Sequence, residues 1–123
     1  MKVRKIGFVG IPVTDMKRAR AFYEGVLDLQ PAEEFMEGNW REYDLGGDTL
    51  ALVSMGDEWR PSDQGTAVAL EVEDFDAAIL KLKVAVIRFV IEPQESPVCH
   101  LAVIQDPDGN KLAIHKLKPG RES

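Results

Sequence analysis

The sequence predicts an α+β fold made of two consecutive modules, each with the element order βαβββ. Three observations predict it: short segments in which apolar residues alternate with period two, two segments with apolar residues at helical spacing, and a repeat of the whole pattern at an offset of 59 residues. The chain has 123 residues, of which 45% are apolar, and this is enough for a single domain with a packed core.

The first module is predicted over residues 5–54. Its first strand covers 5–13, where apolar residues alternate, and Asp15 is a suitable N-cap for the helix that follows. This helix carries its apolar residues on one face and ends near Asp28, before Pro31. Three short strands separated by turns are then predicted at 32–36, 40–45 and 49–54.

The second module is predicted over residues 65–117, after a linker at 55–64 that contains glycine, proline and serine. Its first strand and its helix cap, Asp74, repeat those of the first module. Residues 118–123 are polar and are expected to fray. The strands predicted after the second helix are 86–91, 99–105 and 111–116.

A tight turn is predicted between the last two strands, where the sequence is Asp-Pro-Asp-Gly-Asn at 106–110. Pro107 suits the second position of a turn, Gly109 tolerates a positive φ, and the aspartate and asparagine side chains can hydrogen-bond their own backbone. Because apolar segments flank this turn on both sides, it is expected to connect the two strands of a hairpin.

Composition argues against several classes of partner. A net charge of −6 and an isoelectric point of about 4.9 do not suit nucleic-acid binding, which requires a basic surface. No apolar segment approaches the roughly 20 residues of a membrane span, and no signal-peptide pattern follows the basic N-terminus, so we expect a cytoplasmic protein without a membrane partner. Cys99 is the only cysteine, which excludes an intrachain disulfide.

Three segments carry a resemblance to a known family. They are Val-Gly-Ile-Pro-Val-Thr-Asp at 9–15, Ala-Phe-Tyr-Glu-Gly-Val-Leu-Asp-Leu at 21–29, and the turn at 106–110. In this order they resemble the vicinal oxygen chelate superfamily, which includes glyoxalase I, extradiol dioxygenases and bleomycin-resistance proteins. The resemblance implies a cup-shaped curved sheet formed by the two modules. Asp28 departs from the family glycine, but aspartate tolerates the left-handed conformation.

The resemblance also implies where a metal would be held. Enzymes of this family bind a divalent metal with four side chains, usually His, Gln or Glu, two from each module. The matching positions here are Phe8, Ala51, Ala67 and Ala113. None of these side chains has an oxygen or nitrogen lone pair, whereas a catalytic metal needs about three protein ligands, so we expect neither a metal nor another cofactor.

Two histidines and the cysteine leave other chemistry open. Cys99 and His100 are adjacent on a predicted strand and therefore point to opposite faces. His115 shares the face of Ala113, where it can donate a hydrogen bond to a ligand or, with Glu71 and a further carboxylate, form a different metal site. In one interpretation Cys99 and His115 are a nucleophile and its base; in the other Cys99 is a small buried side chain.

Aromatic side chains, together with the alanines at the metal positions, predict an apolar pocket for an organic molecule. Arg41, Arg88 and the two histidines are the polar candidates, and Arg88, predicted within a strand, favours an anionic ligand. The glutamates expected on a solvated rim are Glu33, Glu34, Glu37 and Glu42. The predicted ligand contacts are Phe8, Trp40, Tyr43, Ala51, Trp59, Ala67, Arg88, Cys99, Ala113 and His115.

Three functions are compatible with these observations. The first is a metal-independent binder of a small organic molecule, similar to the bleomycin-resistance proteins, which sequester a ligand without chemistry. The alternative is a lyase, isomerase or dioxygenase of glyoxalase type with an unusual or absent metal site. The third is an interaction domain whose cup is closed by a partner protein. We expect a homodimer, because family members commonly dimerise and short half-sheets leave edges to be covered.

Overall fold

The computed structural model describes residues 1–121 of the chain. Residues up to Pro61 form one compact unit, and residues from Ser62 onward form another. Within the described residues, each unit contains a four-stranded mixed sheet and an α-helix in the order βαβββ, which confirms the predicted fold class. No helix in this part of the chain is long and apolar enough to cross a membrane.

The two sheets are built alike. The elements of the first unit are β1 (Val9–Pro12), α1 (Met16–Arg20), β2 (Pro31–Phe35), β3 (Trp40–Asp44) and β4 (Thr49–Val53). Those of the second unit are β5 (Val68–Glu71), α2 (Phe75–Val84), β6 (Phe89–Glu95), β7 (Cys99–Gln105) and β8 (Lys111–Leu117). The strand orders are β1-β4-β3-β2 and β5-β8-β7-β6. In each sheet the first strand of the unit pairs in parallel with the last, and the other pairs are antiparallel.

The repeat found in the sequence is present in the structure. Strands β1 and β5 begin at Val9 and Val68, which are 59 residues apart. The side chains of Asp15 and Asp74 cap the two helices in the same way, because each Oδ1 accepts a 3.0 Å hydrogen bond from the backbone N–H three residues ahead. The offset is lost at β8, since β7 has seven residues whereas its counterpart β3 has five, and the turn that follows β7 is also longer.

Helix α1 does not keep a regular pitch to its end. After Arg20 the chain continues as a π-helical segment, Ala21–Val26, in which Leu27 N donates a 3.0 Å hydrogen bond to Phe22 O. The single helix predicted to end near Asp28 is thus two segments of different pitch. Asp28 has a φ of 60°, so aspartate adopts the left-handed conformation expected where the family has glycine.

Strand β1 is shorter than the sequence predicts. The prediction covers 5–13, but β4 offers β1 only four partners, from Leu50 to Val53. Residues before Val9 have no partner in the sheet and are exposed. Alternating apolar residues therefore mark the paired part of this segment but do not locate its start, because pairing depends on the length of the neighbouring strand.

Strand β6 begins later than predicted. The prediction starts at residue 86, but Val86 has a φ of 58° and Ile87 N donates to Leu82 O, so these residues still close the end of α2. The strand instead extends to Glu95 and includes Pro93. Proline is tolerated because β6 is an edge strand, where a missing N–H need not leave a neighbour unpaired.

A polar network ties the helical segment of the first unit to its sheet. Tyr43, fully buried on β3, donates a 2.7 Å hydrogen bond from its hydroxyl to Glu24 Oε2. The guanidinium of Arg20 donates to both oxygens of Glu24, at 2.6 and 3.1 Å. The hydrogen bond from Arg20 lowers the pKa of Glu24 in spite of its partial burial, and burial together with the hydrogen bond to Glu24 raises the pKa of Tyr43.

The core of the second unit follows the predicted strand alternation. Leu112 and Ile114 are 0% and 2% exposed, whereas Lys111, Ala113 and His115 are only partly buried. The two faces of β8 thus differ as the sequence predicts, with the apolar pair in the core.

The Asp-Pro-Asp-Gly-Asn turn has the hydrogen bonds that its sequence predicts. Asp106 Oδ1 accepts from Asp108 N and Asn110 N, both at 2.9 Å, and Asn110 Nδ2 donates to Asp106 Oδ2 at 2.9 Å. Gly109 has a φ of 88°, which favours glycine. Ser62 N donates to Asn110 Oδ1 at 3.3 Å, so the turn also holds the start of the second unit.

We expect Glu24→Gln to lower the free energy of unfolding in a pH-dependent way. Because the folded-state pKa of Glu24 lies below its ordinary value of 4.5, the stabilisation is present above that value and is lost as the pH falls through the folded-state pKa. The deficit relative to wild type, about 1–3 kcal/mol at neutral pH, should therefore disappear in acid. Urea unfolding followed by circular dichroism across this pH range measures it.

Glu33→Gln is the matched control, since Glu33 is exposed on β2. It should leave stability nearly unchanged at every pH. A deficit in Glu24→Gln that stays constant from neutral to acid pH would contradict the role assigned to the ionised carboxylate.

Candidate functional site

Each sheet has one face turned toward its helix and one turned away from it, which we call the far face. The hydrogen bond of Tyr43 to Glu24 marks the helix side of the first sheet, and the packing of His100 on Phe75, with ring centroids 5.2 Å apart, marks that of the second. The far face of the first sheet carries Gly10, Trp40, Glu42, Ala51 and Val53. That of the second carries Ala69, Glu71, Cys99, Leu101, Val103, Ala113 and His115.

Three aromatic residues predicted as ligand contacts, Phe8, Trp40 and Trp59, lie together in the first unit; we call them the aromatic cluster. The rings of Phe8 and Trp40 meet edge to face with centroids 5.3 Å apart. The rings of Trp40 and Trp59 have centroids 6.4 Å apart at an interplanar angle of 67°. Such edge-to-face contacts are the favoured arrangement of aromatic pairs, and they bring together residues that lie far apart in the sequence.

Gly10 makes this packing possible. A Cβ atom added at Gly10 would lie 2.5 Å from Trp59 Cη2 and 2.8 Å from Cζ2. Real Cβ atoms do not approach other atoms this closely, so the indole of Trp59 occupies the space that a side chain would need. The ring therefore lies directly against the backbone of β1, although Trp59 follows the last strand of its unit and belongs to the predicted linker.

Glu42 adds a carboxylate to the far face of the first sheet. Its Oε2 accepts a 3.0 Å hydrogen bond from Trp40 Nε1, and the side chain is partly buried. The sequence predicts that Glu42 lies on a solvated rim with Glu33, Glu34 and Glu37, which are exposed, but this prediction is wrong for Glu42. The signal that identifies it is its spacing of two residues from Trp40 on the same strand, because such residues share a face.

The metal positions of the first unit carry a phenyl ring and a methyl group. Phe8 is 44% exposed and packs on Trp40. Ala51 is fully buried and lies in register with Gly10 on one side and Glu42 on the other. Neither Phe8 nor Ala51 offers a lone pair to a cation.

On the far face of the second sheet, the side chains of Glu71 and His115 contact each other, and we call these two residues the dyad. The two residues are partners in the parallel register of β5 and β8, and His115 Nδ1 lies 2.5 Å from Glu71 Oε1. Leu117 N donates a 2.7 Å hydrogen bond to Glu71 Oε2. Partial burial raises the pKa of Glu71, but the hydrogen bonds from Leu117 N and His115 outweigh it, so the pKa lies below its ordinary value.

Tyr43 does not lie with the other predicted aromatic contacts. It is in register with Leu50 on the helix side, it is fully buried, and its hydroxyl is bound to Glu24. Arg41 shares that side, because it is two residues away on β3, and it donates to Glu34 at 3.3 Å. Neither residue is available to a ligand on the far face, which corrects the prediction for both.

Two further predicted contacts lie outside the strands. Arg88 is exposed and precedes β6, and its carbonyl oxygen accepts a hydrogen bond from Gln105 N at 3.3 Å. The predicted anionic ligand depends on Arg88 lying within a strand, and this placement is wrong because the closure of α2 delays the start of β6. Ala67 is also exposed and precedes β5.

Cys99 and His100 point to opposite faces, as predicted. His100 packs on Phe75 on the helix side, so it is not a polar group of the far face. Cys99 lies on the far face in register with Leu117, and its Sγ is 3.5 Å from Ser96 Oγ. In the described residues the cysteine thus contacts Ser96, whereas His115 contacts Glu71, and the two do not form a hydrogen-bonded nucleophile–base pair.

The residues present do not fit the metal that the family fold implies. Ala113, the fourth metal position, lies in register with Ala69 and Val103, so its neighbours on both adjacent strands are also apolar. Among residues 1–121, no three His, Cys, Asp or Glu side chains are grouped so that they could hold a metal ion. No step of any reaction is therefore assigned to a metal in this protein.

Several solved structures share this fold. The antibiotic-binding protein TnmS3 from Streptomyces sp. CB03234 is 22% identical, with a TM-score of 0.79 over 96% of this chain and 99% of that chain. A glyoxalase/dioxygenase from Nostoc punctiforme is 21% identical, with a TM-score of 0.80 over 94% and 92%. Lactoylglutathione lyase from Agrobacterium tumefaciens is 16% identical, with a TM-score of 0.74 over 94% and 95%. These likenesses show the fold.

The fold is therefore that of the glyoxalase and bleomycin-resistance proteins. The family model of the Glyoxalase/Bleomycin resistance protein/Dioxygenase superfamily matches residues 5–114. The chain belongs to this superfamily, as the three sequence segments predict. No curated protein matches the sequence.

We expect Gly10→Ala to displace Trp59 and to destabilise the first unit. The added Cβ would overlap the indole, and overpacking of this kind costs about 1–3 kcal/mol. The indole N–H resonances of both tryptophans should shift in the NMR spectrum, and urea unfolding should give the lower stability. Gly25→Ala is the control, because a Cβ there meets no atom within 4 Å. Unmoved indole resonances in Gly10→Ala would contradict the packing of Trp59 on β1.

Proposed function

We propose that this protein is a metal-independent binder of a small organic molecule. The observation that carries the proposal is the chemistry of the family's metal positions, where Phe8, Ala51 and Ala113 supply a phenyl ring and methyl groups. Phe8 offers an apolar surface in the first unit, and Ala113 offers one in the second. Ligand sites for organic molecules are mostly apolar and contain a few placed polar groups.

The aromatic cluster supports this proposal. Trp40 and Trp59 present large, stiff rings, which gain much contact area with a ligand while losing little conformational freedom. Glu42 on the first sheet and the dyad on the second are polar groups of the far faces. One protein with the same fold is an antibiotic-binding protein, which is consistent with binding of an organic molecule.

A second candidate function is catalysis of glyoxalase type without the usual metal. The dyad favours it, because a histidine held by a carboxylate is a common general base. Lactoylglutathione lyase has the same fold, although fold alone does not establish an activity. Conversion of a bound ligand, abolished by His115→Ala, would favour this candidate over simple binding.

We also propose a homodimer, supported by the edges of the two sheets. Strand β2 is exposed along its whole length, and β6 is exposed from Val90 onward. Val90 and Ile91 are each 39% exposed, and Phe35 on β2 is 49% exposed. Exposed edge strands with apolar side chains are surfaces that proteins normally cover.

Native mass spectrometry of freshly purified protein tests the proposal most directly, since it reports the oligomer, any metal and any co-purified ligand together. We expect a dimer whose mass exceeds that of two chains by an organic molecule, and no metal ion. Elemental analysis of the same sample should give far less than one equivalent of nickel, zinc, iron or manganese per chain.

Treatment with a strong chelator should leave the melting temperature unchanged, because no metal contributes to folding or to the site. About one equivalent of metal per chain, removed by the chelator with a fall in melting temperature, would overturn the metal-independent function. His115→Ala separates the two sources of such a metal. Metal lost in this variant points to a site built on the dyad, and metal retained points to a site elsewhere.

A further inference from the structure

We infer that the dyad is a hydrogen-bond-accepting subsite: Glu71 holds the imidazole of His115 by Nδ1, and Nε2 accepts a hydrogen bond from a neutral O–H or N–H group of the ligand. This inference rests on the proposed function, because it names the chemistry of the molecule bound. The subsite favours ligands that combine a hydrogen-bond donor with an otherwise apolar structure. It disfavours ligands whose only polar groups are carbonyl or carboxylate oxygens, which the sequence alone would favour.

The geometry of the dyad leaves the imidazole little freedom. Glu71 and His115 are directly paired in the β5–β8 register, and Glu71 Oε1 is 2.5 Å from Nδ1. The other carboxylate oxygen accepts from Leu117 N at 2.7 Å, which holds the carboxylate in place. A ring bound through one nitrogen to a carboxylate that is itself fixed has a defined orientation.

The position of the proton follows from the carboxylate. Glu71 has a lowered pKa, so it is ionised at neutral pH and can only accept hydrogen bonds. Nδ1 of His115 must therefore carry the hydrogen of the 2.5 Å contact. In the neutral ring Nε2 is then the acceptor. Within residues 1–121 the structure gives Nε2 no hydrogen-bond partner, and the His115 side chain is 26% exposed.

The surroundings of the imidazole are apolar. Ala69 and Ala113 form the neighbouring pair of the β5–β8 register, and Leu101 lies beside His115 on β7. Two alanines leave room next to the ring, and Leu101 supplies apolar contact. In such surroundings Nε2 distinguishes ligands that have a hydrogen-bond donor from ligands that lack one. A ligand without a donor would displace water from Nε2 and leave it without a hydrogen bond, which costs binding free energy.

The first test locates the proton without any ligand. In mildly alkaline buffer, ¹⁵N NMR of His115 should show Nδ1 protonated and Nε2 unprotonated. Glu71→Ala should shift the ring toward the Nε2-protonated form, whereas Glu73→Ala, which removes an exposed carboxylate two residues away, should not. A wild-type ring protonated on Nε2 overturns the inference.

The second test uses 4-methylphenol and its methyl ether, 4-methylanisole, as probes of matched shape. A phenol keeps its proton in mildly alkaline buffer, as the tyrosine hydroxyl does. We expect 4-methylphenol to bind about two- to tenfold more tightly than the ether and to shift the Nε2 resonance of His115. His115→Ala should bind both probes with the weaker affinity.

The outcomes separate the subsite from the proposed function. Equal binding of both probes, with Nε2 unmoved, overturns the subsite and leaves the proposed function standing. Binding of neither probe, with no resonance of either far face shifted, overturns the subsite and counts against the proposed function as well. Because the tautomer measurement uses the wild-type protein, a variant that fails to fold does not remove the test.

Discussion

In residues 1–121, one face of each sheet packs against the helical element of its own unit, and the rest of the structure depends on that packing. Strand side chains alternate between faces, so the second sheet carries its buried apolar residues on the helix side. In β8 this leaves Leu112 and Ile114 buried and places Ala113 and His115 on the far face. The parallel pairing of β5 with β8 then sets Glu71 beside His115. The contact between Glu71 and His115 thus follows from the register in which β5 pairs with β8.

The same carboxylate chemistry serves different purposes on the two sides of the sheets. On the helix side of the first unit, Glu24 accepts hydrogen bonds from Arg20 and Tyr43. These bonds connect the helical segment to β3. On the far face of the second unit, Glu71 uses both oxygens, but its partner His115 keeps a second ring nitrogen. A polar group that still has bonding capacity is what distinguishes a candidate site from a structural network.

Much of the fold could be predicted from the sequence because local chemistry specifies it. Asp15 and Asp74 cap their helices and the Asp-Pro-Asp-Gly-Asn turn folds on its own side chains, all through contacts within a few residues. The first and last residues of the strands could not be predicted in this way. Val86 adopts a left-handed conformation that β-branched residues rarely take, and Pro93 lies in a strand only because that strand is at an edge.

The candidate site was predictable where alternation along a single strand decides which face a residue occupies. Ala113 and His115 were assigned to one face correctly from β8 alone. Tyr43 lies three residues after Trp40 on β3, so alternation along that strand already places the two rings on opposite faces, and they could not both face the same ligand. Arg88 was not predictable in this way, since the end of α2 decides where the next strand begins. Such a chain reversal leaves no periodic signal in the sequence.

The close approach of Trp59 to Gly10 has a consequence for optical measurements. The chain contains only two tryptophans, and both belong to the aromatic cluster of the first unit. Intrinsic emission excited through indole therefore originates from that one surface. Quenching or a spectral shift therefore reports on the surroundings of β1 and β3, where both indoles lie. The first unit carries both tryptophans of the chain, and the second unit contributes no indole emission of its own.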